Sequence, residues 1–322
     1  MQLITLDMVY YLLGIIVAFV AIRVALDKNH PNRLGSSVFW GIFAVTFLFG
    51  KQIPPLYVGY LLLIMVVLAS IGKVTKSKEE ETDTEEKEQH AVRLKNKIFI
   101  PALFIPVFTI IGTLLLDKIH FGSVLLVEPD PKKVALIALG IATIIAFISA
   151  MRTTGAKMAV PVNEGSRLLQ AVGWAVILPQ MLAALGGIFA KAGVGSVVSG
   201  IVKDILPAQY PFVAVAAYCV GMMLFTMVMG NAFAAFAVIT GGIGVPLIVQ
   251  MHGGNPAIMA ALGMFAGYCG TLMTPMAANY NIVPAMLLDL KDKNAVIKAQ
   301  IPTALPVFII NMLLMYYLVY HF

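Results

Sequence analysis

From Ile205 to Leu288 the chain has no Asp, Glu, Lys or Arg, yet this apolar stretch is broken twice by small, amide and hydroxyl residues. The first break is Met229-Gly230-Asn231-Ala232. The second runs from Gly270 to Asn281 and holds Thr271, Thr274, Pro275, Asn279 and Asn281. Proline lacks an N–H and clashes with the preceding turn, so Thr274-Pro275 interrupts a helix. Asn brings one acceptor and two donors without a net charge, and Thr brings a hydroxyl. A helix ending at Gly230 exposes carbonyls that suit a bare cation such as sodium. A helix starting at Asn231 offers N–H groups and partial positive charge, which suit an anion. The chemistry available is therefore the neutral holding of a small anion and a monovalent cation. A proton relay fits less well, because it commonly needs an intramembrane Asp, Glu or His, and only His252 falls in this stretch. The same residues also suit structural roles. Gly230 and Ala232 allow close helix packing, and the asparagines of a kinked span can bond a neighbouring helix.

These residues need elements that hold them at membrane depth. The chain is 60% hydrophobic and 12% charged, with a mean hydropathy of +0.91, where a soluble domain carries roughly 25% charged residues. The composition predicts an all-α polytopic membrane protein. Apolar runs near 6–26, 34–50, 54–72, 98–116, 134–150, 168–190, 256–288 and 301–320 predict about eight transmembrane helices of roughly 17–25 residues. Leu6 to Leu26 reads as a retained first span, longer than a signal-peptide core. Residues 211–249 form a separate element whose halves meet at Gly230-Asn231: one re-entrant hairpin, or two full spans. A turn without Lys or Arg favours the hairpin. The run at 256–288 exceeds one plain span and predicts a discontinuous helix. Backbone opened in lipid survives only where protein or water satisfies it, and paired broken segments point to a transporter's substrate site. Residues 189–206 predict an amphipathic helix along the interface or an ordinary loop.

The net charge is +6, but the basic residues sit in short loops beside apolar runs, the positive-inside pattern, so no nucleic-acid role is expected. Residues 73–97 carry basic and acidic side chains in equal number and predict a hydrophilic cytoplasmic linker. The organisation read from the chain is three N-terminal spans over 1–72, the linker over 73–97, three middle spans over 98–190 and a transport-site part over 191–322. Counting spans from the linker places both termini outside and Arg152, Lys157 and Arg167 inside. Cys219 and Cys269 read as small buried hydrophobes, not a redox pair. Glu164 reads as a local ion-pair partner of the nearby Arg152, Lys157 and Arg167. The five histidines lack metal-ligand spacing, and no phosphate-binding loop or nucleophile elbow is present.

The two breaks resemble those of the ion transporter superfamily, which includes sodium-coupled dicarboxylate carriers. Each half of such carriers has an arm helix, a re-entrant hairpin, a span unwound at a Thr-Pro motif and a closing span. Here 191–206 matches the arm and 211–249 the hairpin. The unwound span matches 256–290 and the closing span 301–320. The hairpin tip departs from the family pattern, with Gly230 and Ala232 where hydroxyl residues are usual. More closely, Gly230 to Phe236, His252 to Gly263, Gly267 to Asn279 and Lys298 to Pro306 resemble the larger subunit family of the bacterial two-component 5-oxoproline (pyroglutamate) transporter. The resemblance implies a small cyclic carboxylate substrate and a second, smaller integral-membrane subunit in the bacterial cytoplasmic membrane. The lack of an intramembrane proton relay favours sodium over the proton as coupling ion, and no other cofactor is expected. Only one hairpin-plus-broken-span set is visible in the chain, whereas a complete site in this superfamily needs two. The expected site residues are Gly230, Asn231, Ala232, Thr271, Thr274, Pro275, Asn279 and Asn281, and no catalytic residue is expected. Two other readings stay open: a membrane-embedded enzyme using Glu164 or His252, and a non-transporting assembly or sensor subunit. The coupling ion, the oligomeric state and the role of residues 1–150 are left open.

Overall fold

The computed structural model describes residues 2–77, 92–121, 124–205, 207, 209–277, 280–288 and 290–322. They form an all-α polytopic membrane protein. Among the described residues six helices are long and apolar enough to cross a bilayer, and three shorter apolar helices accompany them. Many large hydrophobic side chains face outward, among them Leu63, Ile64, Leu103, Ile110, Leu224 and Ile310. Apolar surface on this scale is not held in water by a soluble monomer, and it suits lipid. Apart from helices, the described residues hold one short antiparallel strand pair, His120–Phe121 (β1) with Val124–Leu125 (β2).

The chain divides into two compact units, Met1–Gly173 and Trp174–Phe322. In the first, α1 (Leu6–Leu26) pairs with α2 (Arg33–Phe49), and α3 (Pro55–Ser70) follows. Gly14 of α1 lets Leu48 of α2 approach so closely that a methyl group would lie 2.6 Å from its side chain. Around this contact Phe39, Trp40 and Phe43 are buried, with Phe39 edge-on to Trp40 at 5.4 Å. Helix α4 (Phe99–Leu115) packs on α5 (Pro131–Thr154), with Gly112 opposite Ala138. Helix α5 starts on Asp130, which accepts from the Lys132 N–H, and ends on left-handed Gly155. The cytoplasmic linker read over 73–97 falls largely outside the described residues.

The apolar run at 168–190 does not form the single span its composition predicts. Helix α6 (Ala159–Val172) stops at Gly173, whose φ of 54° and ψ of −130° no helix accepts. A 3-10 turn follows, then α7 (Leu178–Lys191). Hydropathy averages over this stretch and misses a stop made by one glycine.

The second unit holds both sequence breaks. Helix α8 (Val194–Ile205) occupies the place expected of the arm, as a helix and not a loop. Then α9 (Pro211–Met229) runs to the first break, and α10 (Ala232–Ile239) leads back through a wide π-helical segment, Thr240–Met251. Helix α11 (Pro256–Leu272) runs to the second break. Beyond it lie α12 (Ile282–Leu287) and the closing α13 (Ala295–Val319). The core of this unit gathers Tyr218, Met222, Ile239, Leu247, Met259 and Met315. Without water to drive them together, membrane helices associate through close van der Waals fit, and small residues permit it. Gly263, Gly267 and Gly270 lie on one face of α11. A methyl at Gly263 would meet the Tyr218 hydroxyl, and one at Gly270 would meet the Met223 carbonyl. Helix α8 crosses the returning π-helical segment the same way, Gly195 against Gly242.

Candidate substrate and ion site at the two helix breaks

Helix α9 ends because Gly230 turns left-handed, at φ 66°, and donates its N–H to the Thr226 carbonyl at 2.7 Å. That backbone is cheap only for glycine. Asn231 is extended and caps α10: its Oδ1 accepts from the Phe233 N–H at 2.8 Å. The side-chain acceptor expected to meet a ligand is thus engaged by the hairpin's own backbone. Ala232 is buried, and a methyl at Gly267 would lie 3.0 Å from its Cβ. The Phe233 ring lies edge-on to Tyr268 at 6.2 Å. The hairpin tip therefore rests on the α11 turn that leads into the second break.

At that break α11 stops after Leu272. Thr274 is buried, and its Oγ1 donates to the Met227 carbonyl of α9 at 2.7 Å while accepting from the Met276 N–H at 3.2 Å. One hydroxyl so joins the last turn of the first helix to the unwound stretch of the second. Pro275 follows and is exposed, where its missing N–H leaves no ladder bond unmade. Asn281 is 0% exposed. Its amide donates to the Thr271 carbonyl at 2.8 Å and the Thr274 carbonyl at 2.6 Å, closing the opened backbone over itself. Among the described residues its Oδ1 has no partner. Thr271 is still helical, and its hydroxyl bonds the Tyr268 carbonyl of its own helix at 2.6 Å. Asn279 lies outside the described residues. Of the expected residues, Gly230, Asn231, Ala232, Thr271, Thr274, Pro275 and Asn281 are thus gathered around the two breaks.

Thr226 was not among those expected. It is 0% exposed, and among the described residues its hydroxyl also lacks a partner. A methyl at Gly267 would lie 3.2 Å from that oxygen. A threonine inside an apolar helix gives little signal, because most such hydroxyls bond the preceding turn. Buried polar atoms are nearly always paired, so each orphan needs a reason. Thr226 Oγ1 and the amide oxygen of Asn281 both adjoin the Thr274–Met227 bond, one by chain neighbour and one by hydrogen bond.

A family model described as Protein of unknown function (DUF979) matches residues 7–320. The chain belongs to that family. No curated protein and no solved structure gives a match. The DUF979 match takes in both breaks and all eight expected residues.

The other sequence candidates have local partners or surroundings of their own. Glu164 is held by Arg167 at 2.7 Å, four residues from exposed Val160 on α6. His252 closes the π-helical segment and lies edge-on to Tyr320 at 6.3 Å. Cys219 and Cys269 are buried thiols without a disulfide. Beyond the break, Asp292 accepts from Lys298 at 2.8 Å, and this bond, with the Asn294 N–H, holds its carboxyl below the usual range.

Proposed function

We propose that this DUF979-family chain is one subunit of a secondary active transporter for a small carboxylate, 5-oxoproline, coupled to sodium. It works with a second, smaller membrane subunit in the bacterial cytoplasmic membrane, with both termini outside, and it is not an enzyme. The observation that carries this reading is the Thr274–Met227 hydrogen bond, which puts two opened helices side by side within an uncharged part of the chain. An irregular backbone is tolerated in lipid where it lines a site or a cavity. The neutral donors at the α10 start suit a carboxylate. Among the described residues the Thr226 hydroxyl and the Asn281 amide oxygen are buried acceptors without partners, and neutral oxygens of this kind fit sodium, which takes oxygen donors in place of its hydration shell. Sodium when bound supplies the charge that lets a carboxylate rest where no cationic side chain is available. Each orphaned acceptor gives its subsite affinity for the ion, while Gly230 and Pro275 keep the backbone open around it.

The test is uptake of labelled 5-oxoproline into membrane vesicles holding this chain with and without its partner, under inward and collapsed sodium gradients. Sodium-dependent uptake only with both subunits is the expected result. Unchanged uptake by Asn231→Ala and Asn279→Ala at equal expression would remove the site assignment. Product formation by the purified chain would instead favour an enzyme.

A further inference from the structure

Helices α4 and α5 form an antiparallel pair, so the start of α4 and the end of α5 share one end of the first unit. Among the described residues that end is basic: Lys95 and Lys97 precede α4, Arg152 lies in the last turn of α5, and Lys157 follows it. Arg93 reaches the same corner and donates to the Thr154 carbonyl at 3.0 Å. The opposite end of the pair mixes charges, with Lys133 bound to Glu128 at 2.6 Å. A groove of about 360 Å³ opens at the basic end, lined by Phe104 of α4 and by Ile145, Ile148, Ser149, Arg152 and Thr153 of α5. The α5 residues fall at helical spacing on one face. Along that face the lining passes from two isoleucines to a serine, an arginine and a threonine. Ile145 and Arg152 are seven positions apart, about 10 Å along the axis. That matches the depth over which a bilayer changes from acyl chain to headgroup. Arg152 is exposed, and no carboxylate pairs with it among the described residues.

We propose that this groove binds an anionic phospholipid, its phosphate held by Arg152 with the Ser149 and Thr153 hydroxyls, and one acyl chain lying against Phe104, Ile145 and Ile148. A guanidinium offers a fork of donors matched to phosphate oxygens. Basic pockets between membrane helices are a recurrent way of holding such headgroups. The proposal stands independently of the transport site, since all lining residues belong to the first unit.

The test is native mass spectrometry of the full chain with phosphatidylglycerol and with phosphatidylcholine of the same acyl chains. Phosphatidylglycerol should be retained about fivefold better, the preference that one basic residue near an anionic headgroup supplies. Arg152→Gln should abolish that preference and Arg152→Lys should keep part of it. Ile148→Trp, which fills the groove and leaves the charge, should also lose it. Lys118→Gln at the other end should change nothing. Equal retention of the two lipids by the wild type, or an unchanged preference in Arg152→Gln, overturns the proposal. So does full displacement by millimolar inorganic phosphate, which would mark a site for free phosphate. A role for Arg152 confined to the negative end of α5 predicts an equal loss of thermal stability in both lipids with no change in selectivity.

Discussion

Three side chains at the breaks decide how the opened backbone is satisfied. Thr274 spends its hydroxyl on the Met227 carbonyl of another helix. Thr274→Val keeps the shape and removes that bond, so it should cost about 0.5–1.5 kcal/mol, more if the carbonyl stays dry. Thr274→Ser should cost less, and thermal unfolding in detergent reads both. Asn281→Ala strands the carbonyls of Thr271 and Thr274 while deleting an unpartnered oxygen. The stranded carbonyls should dominate, at about 1–3 kcal/mol each if water cannot reach them, with sodium binding lost as well. Asn281→Asp supplies the acceptor but loses the two amide donations, so sodium affinity and stability should separate in that variant. Part of this chemistry is legible in the sequence. Thr274-Pro275 declares a break because proline cannot continue a ladder. Its partner is not legible, because Met227 contributes a backbone carbonyl and any residue has one. Thr226 stayed hidden for a similar reason: nothing local says that its hydroxyl goes unbonded. Asn231 showed as polar, but whether its oxygen serves a ligand or its own helix depends on the φ and ψ of one residue.

Helices bring these groups together by close approach. The α9–α11 contact depends on Gly263, Gly267 and Gly270. Gly270→Ala places a methyl against the Met223 carbonyl, backbone that cannot move aside alone. It should force the helices apart at a cost of about 1–3 kcal/mol, lowering the unfolding temperature and weakening substrate binding together. Gly230→Ala tests the other break. Its left-handed φ of 66° should cost about 1–2 kcal/mol, while Gly241→Ala, with open space around it, should be mild. The Asp292–Lys298 pair closes the loop after α12. Its lowered carboxyl pKa means its contribution is present above the ordinary aspartate range and fades as the pH falls through the lowered value. Asp292→Asn should remove that part of the acid sensitivity in a pH series of unfolding temperatures. Helix existence was legible from the apolar runs, since α1 to α5 and α13 lie where hydropathy puts them. The stop at Gly173 was not, because its neighbours Val172 and Trp174 are apolar and the run looks continuous. The π-helical return, Thr240–Met251, left no advance sign beyond Pro246 in its middle.

At the scale of the molecule, two compact units divide the chain, and the breaks lie wholly in the second. The first unit offers outward apolar helices, with α3 burying only Met65, and the basic groove proposed for anionic lipid. The second holds two broken stretches, the α9–α10 pair meeting at Gly230-Asn231 and the interrupted α11, joined by the Thr274–Met227 bond. If these breaks form the proposed site, it works without a charged side chain of its own, and the coupling ion is part of it. Proton coupling would leave binding indifferent to sodium and sensitive to pH, whereas sodium coupling predicts the reverse. The central claim is that the two breaks form one site. It is tested most directly by equilibrium binding of labelled 5-oxoproline to the purified complex, comparing wild type, Thr274→Val and Thr274→Ser, each with sodium and with choline in its place. The account predicts sodium-dependent binding that falls at least about tenfold in Thr274→Val, the loss equivalent to one hydrogen bond of roughly 1.4 kcal/mol, and recovers in Thr274→Ser. Binding of equal strength in all three proteins, or binding indifferent to sodium, would contradict it.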